Sequence, residues 1–153
     1  MTSSPPSVLI IEARFYNEIA DELVAGATAY LDSENISYER LAVPGALEIP
    51  VALAIAIKNH LVGDGARHQG CIALGCVIRG ETSHYDIVAG ESAGALIKIA
   101  CDNALPLGNG ILTVETREQA SVRASGDGKN KGRDAAAACL ALMRMMQDRP
   151  DQA

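Results

Sequence analysis

The chain has 153 residues, enough for one domain with a sizeable core, and its 48% apolar and 21% charged residues are ordinary for a globular protein. Its formal net charge is −6 and its basic residues are scattered, which argues against nucleic acid or an anionic membrane as a partner. No apolar window is long enough to span a membrane, and the first residues lack the pattern of a signal peptide. We therefore expect a cytoplasmic protein.

The cysteines and histidines do not suggest a metal site. The four cysteines are Cys71, Cys76, Cys101 and Cys139. They form no C-x-x-C pair and have no histidine at ligand spacing, so we predict that all four are small core residues. His84 and Asp86 stand two positions apart, but the sequence offers no further ligands for them.

The apolar pattern predicts alternating strands and helices in a single domain, 1–153, with flexible tails at 1–7 and 148–153. Strands are predicted at residues 8–11, 36–43, 71–78 and 109–115. Helices are predicted at 17–32, 48–61, 85 or 86 to about 105, 117–124 and 133–147. In the first helix, which Asn17 can cap, one apolar face carries Ile19, Leu23, Val24, Ala27 and Leu31.

Two glycine patterns have structural interpretations. Gly90 and Gly94 lie one turn apart in the third helix, which indicates close packing against a neighbour. The segment Gly126-Asp-Gly-Lys-Asn-Lys-Gly132 carries two lysines, but it follows a helix and lacks the order of a P-loop. We interpret that segment as a linker.

Strands that alternate with helices predict an α/β fold, a three-layer flavodoxin-like sandwich with a parallel four-stranded sheet between helices. Such sheets bind ligands beyond the carboxyl ends of their strands. Three features fall there: Phe15 after the first strand, the turn Gly45-Ala-Leu-Glu48 after the second, and the segment from Arg79 to His84 after the third. Their convergence predicts a ligand site at this edge.

The stretch Gly75-Cys-Val-Ile-Arg-Gly-Glu-Thr-Ser-His-Tyr-Asp86 has the form of a strand, a turn and a helix start. A helix start presents unpaired N–H groups and partial positive charge, so an anion bound there would lie near Arg79 and the titratable His84. Phosphate binding with proton transfer is the function that this pattern favours. The alternative is an ordinary α/β crossover whose histidine is only solvated.

Several segments together resemble the lumazine synthase family. They are Ala13-Arg-Phe-Tyr16, Val43-Pro-Gly-Ala-Leu-Glu-Ile-Pro50, the Gly75 to Asp86 stretch, Asn109-Gly-Ile-Leu-Thr-Val-Glu115, Glu118-Gln-Ala120 and Asn130-Lys-Gly132. The resemblance covers nearly the whole chain in the same order. It implies a transferase that condenses a ribitylamino-uracil with a phosphorylated dihydroxybutanone, giving dimethyl-ribityllumazine, phosphate and water without a cofactor or metal.

The resemblance also implies roles for particular residues. Phe15 would stack on the pyrimidine, while the ribityl chain and the ring edge would meet Ala46, Leu47, Glu48, Cys76, Val77, Ile78 and Asn109. Glu81 and Thr82 would bind the phosphate, and His84 would transfer protons. Arg123 would reach the phosphate from an adjacent subunit.

Two positions depart from the family pattern. Members often have Asn after the stacking aromatic and Phe before the glycine of the fourth strand, where this chain has Tyr16 and Asn109. Tyr16 puts one ribityl contact in doubt. Asn109 replaces an apolar wall by a polar one.

The resemblance implies a homo-oligomer with shared sites. We expect a pentamer, with a decamer or a shell of about 60 subunits as alternatives, and riboflavin synthase as a further candidate partner. Two other functions stay open. One is a non-catalytic flavin or lumazine carrier, and the other is an unrelated flavodoxin-like regulatory module.

Overall fold

A computed structural model describes residues 5–148 as four parallel strands and five helices. The strands are β1 (Ser7–Ala13), β2 (Ser37–Val43), β3 (Gly70–Ile78) and β4 (Leu107–Val114). The helices are α1 (Asn17–Ser33), α2 (Glu48–Lys58), α3 (His84–Asn103), α4 (Arg117–Ala124) and α5 (Lys131–Gln147). The strand order is β2-β1-β3-β4, which confirms the predicted parallel α/β sheet.

The sheet is covered on both faces. β1 and β3 lie in its centre and are almost entirely buried, which explains their unbroken apolar runs. Alternate residues of β1 enter two separate cores: Ile10 packs on the side of α1 and α5, and Ile11 on the side of α2 and α3. The predicted apolar face of α1, from Ile19 to Leu31, is confirmed as buried.

Close contact between the last helix and the rest of the domain depends on glycine. A Cβ atom on Gly108 of β4 would fall against the carbonyl oxygen of Ala135, and one on Gly132 against that of Leu23. Glycine at these two positions therefore lets α5 lie directly on β4 and α1. The predicted linker 126–132 is shorter than expected, because α5 already begins at Lys131.

Several boundaries differ from the predictions by a few residues. α3 begins at His84, before the predicted start, and α2 ends at Lys58 where the pattern extended to residue 61. Residues 1–4 and 149–153 of the predicted tails lie outside the described residues, whereas Ser7 is the first residue of β1. Apolar periodicity continues past the point where backbone hydrogen bonding ends, so it fixes helix ends poorly.

Three details of the side chains also differ from expectation. Cys101 is exposed, while the other three cysteines are buried as predicted. Asn17 is the first residue of α1 and accepts a hydrogen bond from Arg14, so Tyr16 occupies the cap position. No atom of residues 5–148 lies within 4 Å of a Cβ built on Gly90 or Gly94 outside their own helix, so the expected close packing is not made within the chain.

Within residues 5–148, no helix is long and apolar enough to cross a membrane. The same part of the chain has no group of three or more His, Cys, Asp or Glu side chains that could hold a metal ion.

A polar cluster fixes the start of β1, at the amino edge of the sheet. The Ser7 hydroxyl lies 2.6 Å from Nδ1 of the buried His68, and His68 Nε2 lies 2.9 Å from the Glu39 carboxylate. The Ser7 backbone N–H also donates to Oε1 of Gln69, at 3.0 Å. This cluster joins β1, β2 and the segment before β3, so His68 has a structural place in the fold.

A second polar group lies near the carboxyl end of β1. Glu12 is only 2% exposed, and its carboxylate accepts hydrogen bonds from Arg14 Nη1 at 2.6 Å and from Arg40 Nε and Nη2 at 2.7 and 2.8 Å. Burial acts to raise the pKa of Glu12, but the two guanidinium groups outweigh it and hold that pKa below its usual value of 4.5.

We expect Glu12→Gln to destabilise the protein at pH 7 by roughly 2–3 kcal/mol, below the cost of breaking a fully enclosed ion pair because Arg40 stays half exposed. Since the folded pKa of Glu12 is lowered, the wild-type stabilisation is complete above 4.5 and is lost as the pH falls through the folded pKa. The difference between wild type and variant should therefore shrink at acid pH. Urea denaturation from pH 7 to pH 3 measures it.

The exposed Glu22 of α1 provides the matched control, because Glu22→Gln makes the same change on the helix surface. Its urea midpoint should follow that of the wild type throughout the pH series. A constant difference between Glu12→Gln and the wild type would contradict the assigned ion pairing.

Candidate active site

A cleft of about 380 Å³ opens at the carboxyl edge of the sheet. It lies between the turn after β1, the turn after β2 and the loop that joins β3 to α3. Nine of the twelve predicted site residues line it: Phe15, Ala46, Leu47, Glu48, Cys76, Val77, Ile78, Thr82 and His84. These residues therefore meet at one edge in a cleft with the size of a small-molecule site, and ligand binding there stays a prediction.

The cleft exists because β3 is longer than β1 at this edge. The ladder between β1 and β3 ends at the pair Glu12–Leu74, whereas β3 stays paired with β4 as far as Ile78. The Arg79 N–H donates towards β4, to the Val114 carbonyl. Because parallel strands alternate the side to which their peptide groups point, the N–H and C=O of Cys76 and Ile78 face the space beyond the end of β1. A ligand in the cleft meets backbone donors and acceptors there.

Phe15, the only phenylalanine of the chain, presents its ring to solvent with 73% of its surface exposed. The neighbouring Tyr16 ring meets it edge-on, with the centroids 4.9 Å apart. Tyr16 packs in turn on the core, and the Arg117 guanidinium lies 5.8 Å from its ring centroid. An exposed ring beside an apolar cleft is suited to stacking on a planar ligand.

The floor of the cleft is small and apolar. Ala46, Val77 and Val88 form a buried cluster against which Tyr85 packs. Burial raises the pKa of the Cys76 thiol to about 11, although the charge of Arg117 acts in the opposite direction. The thiol is therefore neutral at pH 7 and contributes packing, since a thiolate would be needed for nucleophilic chemistry.

The turn after β2 carries the carboxylate of Glu48 to the rim of the cleft. Glu48 is exposed at the start of α2, and its backbone N–H donates to the Gly45 carbonyl at 3.2 Å. A Cβ added to Gly45 would lie 3.2 Å from Glu48 Oε1, so the glycine leaves room for the carboxylate. Glu48 can accept hydrogen bonds from a polyhydroxylated ligand at this rim.

His84 is exposed at the first position of α3, one or two residues before the predicted start at residue 85 or 86. Its backbone N–H donates to the Thr82 hydroxyl at 3.3 Å, so the threonine satisfies one helix-start donor as expected for this residue type. The imidazole therefore stands beside the positive end of a 20-residue helix. An anion at the helix start and the imidazole of His84 fit together at this point of the cleft.

Arg79, which the sequence places near the start of the third helix, contacts other side chains of the protein. Its Nε lies 3.0 Å from Glu115 Oε2, its Nη2 lies 3.5 Å from Asp86, and its guanidinium covers the Tyr85 ring at 4.2 Å. These contacts tie the first turn of α3 to the end of β4. Arg79 does not line the cleft and its partners are protein carboxylates, so its place near a bound anion stays a prediction.

Three predicted residues lie outside the cleft. Glu81 is exposed in the loop before α3, next to the cleft-lining Thr82. Asn109 and Arg123 instead share a separate notch of about 340 Å³ on the outer edge of β4, together with Lys131. Within one chain, the structure does not bring these two residues to the cleft.

The notch has its own local contacts. Asn109 Oδ1 accepts a hydrogen bond from the Ile111 N–H at 2.9 Å, so this side chain folds onto the edge strand. Arg123 Nη1 donates to the Gln119 carbonyl at 3.1 Å, and Lys131 lies 3.3 Å from Asp134. Lys131 was not among the predicted site residues. Its position in the glycine-rich segment 126–132 was the feature of the sequence that could have indicated it. Arg123 therefore carries the positive charge of the notch that no carboxylate within it pairs, whereas Lys131 is paired with Asp134 of the same notch.

A parallel sheet of this strand order, covered on both faces and with a cleft at its carboxyl edge, defines the flavodoxin-like class of α/β proteins. Within that class, residues 5–147 match the model of one family, described as 6,7-dimethyl-8-ribityllumazine synthase. The chain therefore belongs to the lumazine synthase family, as the sequence motifs predicted.

Curated relatives agree with this family. A protein of Methylorubrum populi is 54% identical over 136 residues, which are 89% of this chain and 80% of the relative. A protein of Bartonella bacilliformis is 51% identical over 140 residues, covering 92% of this chain and 90% of the relative. Both relatives are named 6,7-dimethyl-8-ribityllumazine synthase.

Replacing Arg79 by methionine should loosen the loop between β3 and α3, because it removes the ion pairs and the cation–π contact while retaining an unbranched side chain. We expect severalfold faster hydrogen exchange at the backbone amides of residues 80–86. The melting temperature should change little, since exposed ion pairs contribute little to global stability.

Arg67→Met is the matched control, because Arg67 pairs with Glu39 at 3.2 Å near the amino edge of the sheet. It should leave exchange at residues 80–86 unchanged. Equal exchange in the wild type and Arg79→Met would show that the loop is held by other contacts.

Proposed function

We propose that this chain is a transferase that condenses 5-amino-6-(D-ribitylamino)uracil with 3,4-dihydroxy-2-butanone 4-phosphate. The products are 6,7-dimethyl-8-ribityllumazine, phosphate and water, in the penultimate step of riboflavin biosynthesis. One observation carries the proposal: in this member of the lumazine synthase family, a single cleft is lined by Phe15, Glu48, Thr82 and His84.

The pyrimidine would lie on the exposed face of Phe15, above the apolar floor formed by Ala46 and Val77. Its polar edge would bond the free peptide groups of Cys76 and Ile78. The ribityl chain would extend over Leu47 to the Glu48 carboxylate, which accepts hydrogen bonds from hydroxyl groups. These contacts fix the nucleophilic amine in one orientation.

The phosphate of the second substrate would bind at the start of α3. Thr82 would supply its hydroxyl, and Glu81 would act through its backbone N–H because its carboxylate would repel the phosphate. This places the carbonyl near the amine, which lowers the barrier by proximity. His84, whose imidazole lies beside the start of α3, would move the protons needed for imine formation and loss of water.

We also infer that the active site is completed by a second copy of the chain. Arg123 and Asn109 share the notch on the edge of β4, away from the cleft that contains Phe15 and His84. An adjacent subunit could place Arg123 against the phosphate, with Lys131 beside it. Asn109 would then meet the heterocycle as a polar wall.

Exposed apolar side chains support such an assembly. They lie on two neighbouring helices: Val51 and Ile55 on α2, and Ile87 and Ile97 on α3. Gly90 and Gly94, open on α3, would allow another backbone to approach. We propose a homopentamer, with a decamer or an icosahedral shell as alternative outcomes of a sedimentation experiment.

Two further proposals rest on the substrates. Riboflavin synthase, the enzyme for the next step, is a candidate partner because it consumes the lumazine. We propose the cytoplasm as the location, since a phosphorylated substrate does not cross a membrane freely.

A non-catalytic flavin or lumazine carrier on the same scaffold is not favoured. Stacking alone would need Phe15 and the apolar floor, but not His84 beside a helix start or the basic notch of Arg123 and Lys131. An unrelated regulatory module is not favoured either, because the chain belongs to the lumazine synthase family.

Incubating the purified protein with both substrates tests the proposed reaction. We expect lumazine absorbance and fluorescence to increase in proportion to enzyme concentration, together with release of inorganic phosphate. Each substrate alone is the control. Saturable binding of the lumazine without turnover would instead support the carrier.

Replacing Arg123 by alanine should raise KM for the phosphorylated butanone by about tenfold or more, because a guanidinium–phosphate contact is charge-assisted. KM for the pyrimidine should change little. Steady-state kinetics with one substrate varied at a time measures both constants. The control is Arg144→Ala, which removes a surface arginine paired with Glu34.

Mixing two damaged variants tests whether the site is shared. Arg123→Ala and Phe15→Ala chains, unfolded and refolded together, should form about a quarter of their interfaces with both wild-type residues, so activity should exceed that of either variant. Activity no higher than the average of the two would contradict a shared site. A fully active 16.0 kDa monomer in light scattering would contradict it independently.

A further inference from the structure

The ring that would hold the pyrimidine has little packing of its own. Phe15 is 73% exposed, and its described ring contact is the edge of Tyr16. A side chain exposed to this degree changes rotamer within nanoseconds, and it moves further if the backbone of its turn is not fixed. The geometry of the stacking surface therefore depends on the turn between β1 and α1.

Arg14 fixes this turn from both sides of Phe15. Its backbone N–H donates to the Val43 carbonyl at 3.0 Å, which anchors the entry to the turn on β2. Its guanidinium reaches over the turn to α1, where Nε donates to Asn17 Oδ1 at 2.8 Å and Nη2 donates to the Asn17 carbonyl at 3.2 Å. Nη2 also bonds the Asp21 carboxylate. One side chain thus joins the residue before Phe15 to the first turns of the following helix.

The guanidinium is itself held by the buried carboxylate of Glu12, 2.6 Å from Nη1. Glu12 belongs to the central strand β1, so it connects the turn to the most buried part of the sheet. Burying a charged pair is expensive, and apolar side chains would stabilise this layer as well or better. The pair is better explained by the position that it imposes than by the stability that it adds.

We propose that Arg14, held by Glu12, is a positioning residue that fixes the Phe15 ring over the cleft and thereby sets the affinity for the heteroaromatic substrate. The identity of the substrate in this inference rests on the proposed function, whereas the positioning of Phe15 by Arg14 rests on the contacts described above. The role needs arginine, because the planar fork makes several bonds in fixed directions. A lysine ammonium at the same place is a single charge on a flexible stem.

Arg40 provides an internal comparison. Its side chain also bonds Glu12, through Nε at 2.7 Å and Nη2 at 2.8 Å, but it comes from β2. Among the described residues, the hydrogen bonds of the Arg40 side chain go to Glu12 and none goes to residues 14–17. Substituting Arg40 therefore disturbs the same buried carboxylate without releasing the turn.

Kinetics of the assembled enzyme separates positioning from stability. We expect Arg14→Lys to raise KM for the ribitylamino-uracil about tenfold, within the range that loss of stacking on one aromatic side chain produces. KM for the phosphorylated butanone should stay within about twofold, since that substrate does not stack. Arg40→Lys should lower the melting temperature without changing either KM.

Asp21→Asn is a milder second variant, because Asp21 is 68% exposed and its loss removes one charged partner of Arg14. It should shift KM in the same direction by a smaller factor. Equal changes in both KM values, or the same change in Arg14→Lys and Arg40→Lys, would overturn the proposal.

A spectroscopic readout tests the positioning without turnover. The chain contains no tryptophan, so Phe15→Trp introduces a single indole at the position of the ring. Time-resolved fluorescence anisotropy should show a small nanosecond component in this protein, a larger one after Arg14→Lys is added, and no increase after Arg40→Lys is added. Unchanged anisotropy with Arg14→Lys would overturn the proposal.

The two experiments fail in different ways. Absence of lumazine formation by the wild type would reject the proposed reaction and leave the anisotropy comparison valid. Turnover by the wild type, with the same pyrimidine KM and the same anisotropy in Arg14→Lys, would reject the positioning role alone.

Discussion

The cleft at the carboxyl edge depends on the unequal lengths of the two central strands. β1 stops pairing with β3 at Glu12, while β3 continues along β4 to Ile78. Buried peptide groups need hydrogen-bond partners. The part of β3 that extends beyond the end of β1 must therefore form these hydrogen bonds with solvent or with a ligand. The turn after β1 brings Phe15 to one side of the overhang, and the β3–α3 loop brings His84 to the other.

Two arginines at this edge belong to the scaffold. Arg14 bonds Glu12 and the start of α1, and Arg79 bonds Glu115 and Asp86 at the start of α3. Each closes the turn that follows a central strand. Because their charges are already matched by carboxylates, the proposed phosphate would have to be attracted by the start of α3 and by the separate notch of Arg123 and Lys131. The division is compatible with the proposed phosphate site in a chain of net charge −6.

The sequence was informative about the elements and about the cleft. Phe15, Glu48 and His84 follow three different strands, and parallel strands bring their carboxyl ends to one edge whatever the details of packing. That rule needs only the order of strands and helices, which apolar periodicity supplies. The same reasoning was weaker for Arg123 and Asn109, because α4 and the outer edge of β4 face away from the cleft of their own chain.

The sequence by itself determined the parallel α/β fold, the apolar faces and the residue types at the carboxyl edge, because these follow from local periodicity and strand order. Only the tertiary structure decided which charges are free. Arg79 pairs with Glu115, which lies 36 residues further along the chain, and Glu12 pairs with Arg40, which lies 28 residues further along. Tertiary packing also left Cys101, Gly90 and Gly94 on the surface. Such outcomes depend on side-chain partners distant in sequence, and no local pattern encodes the distance between them.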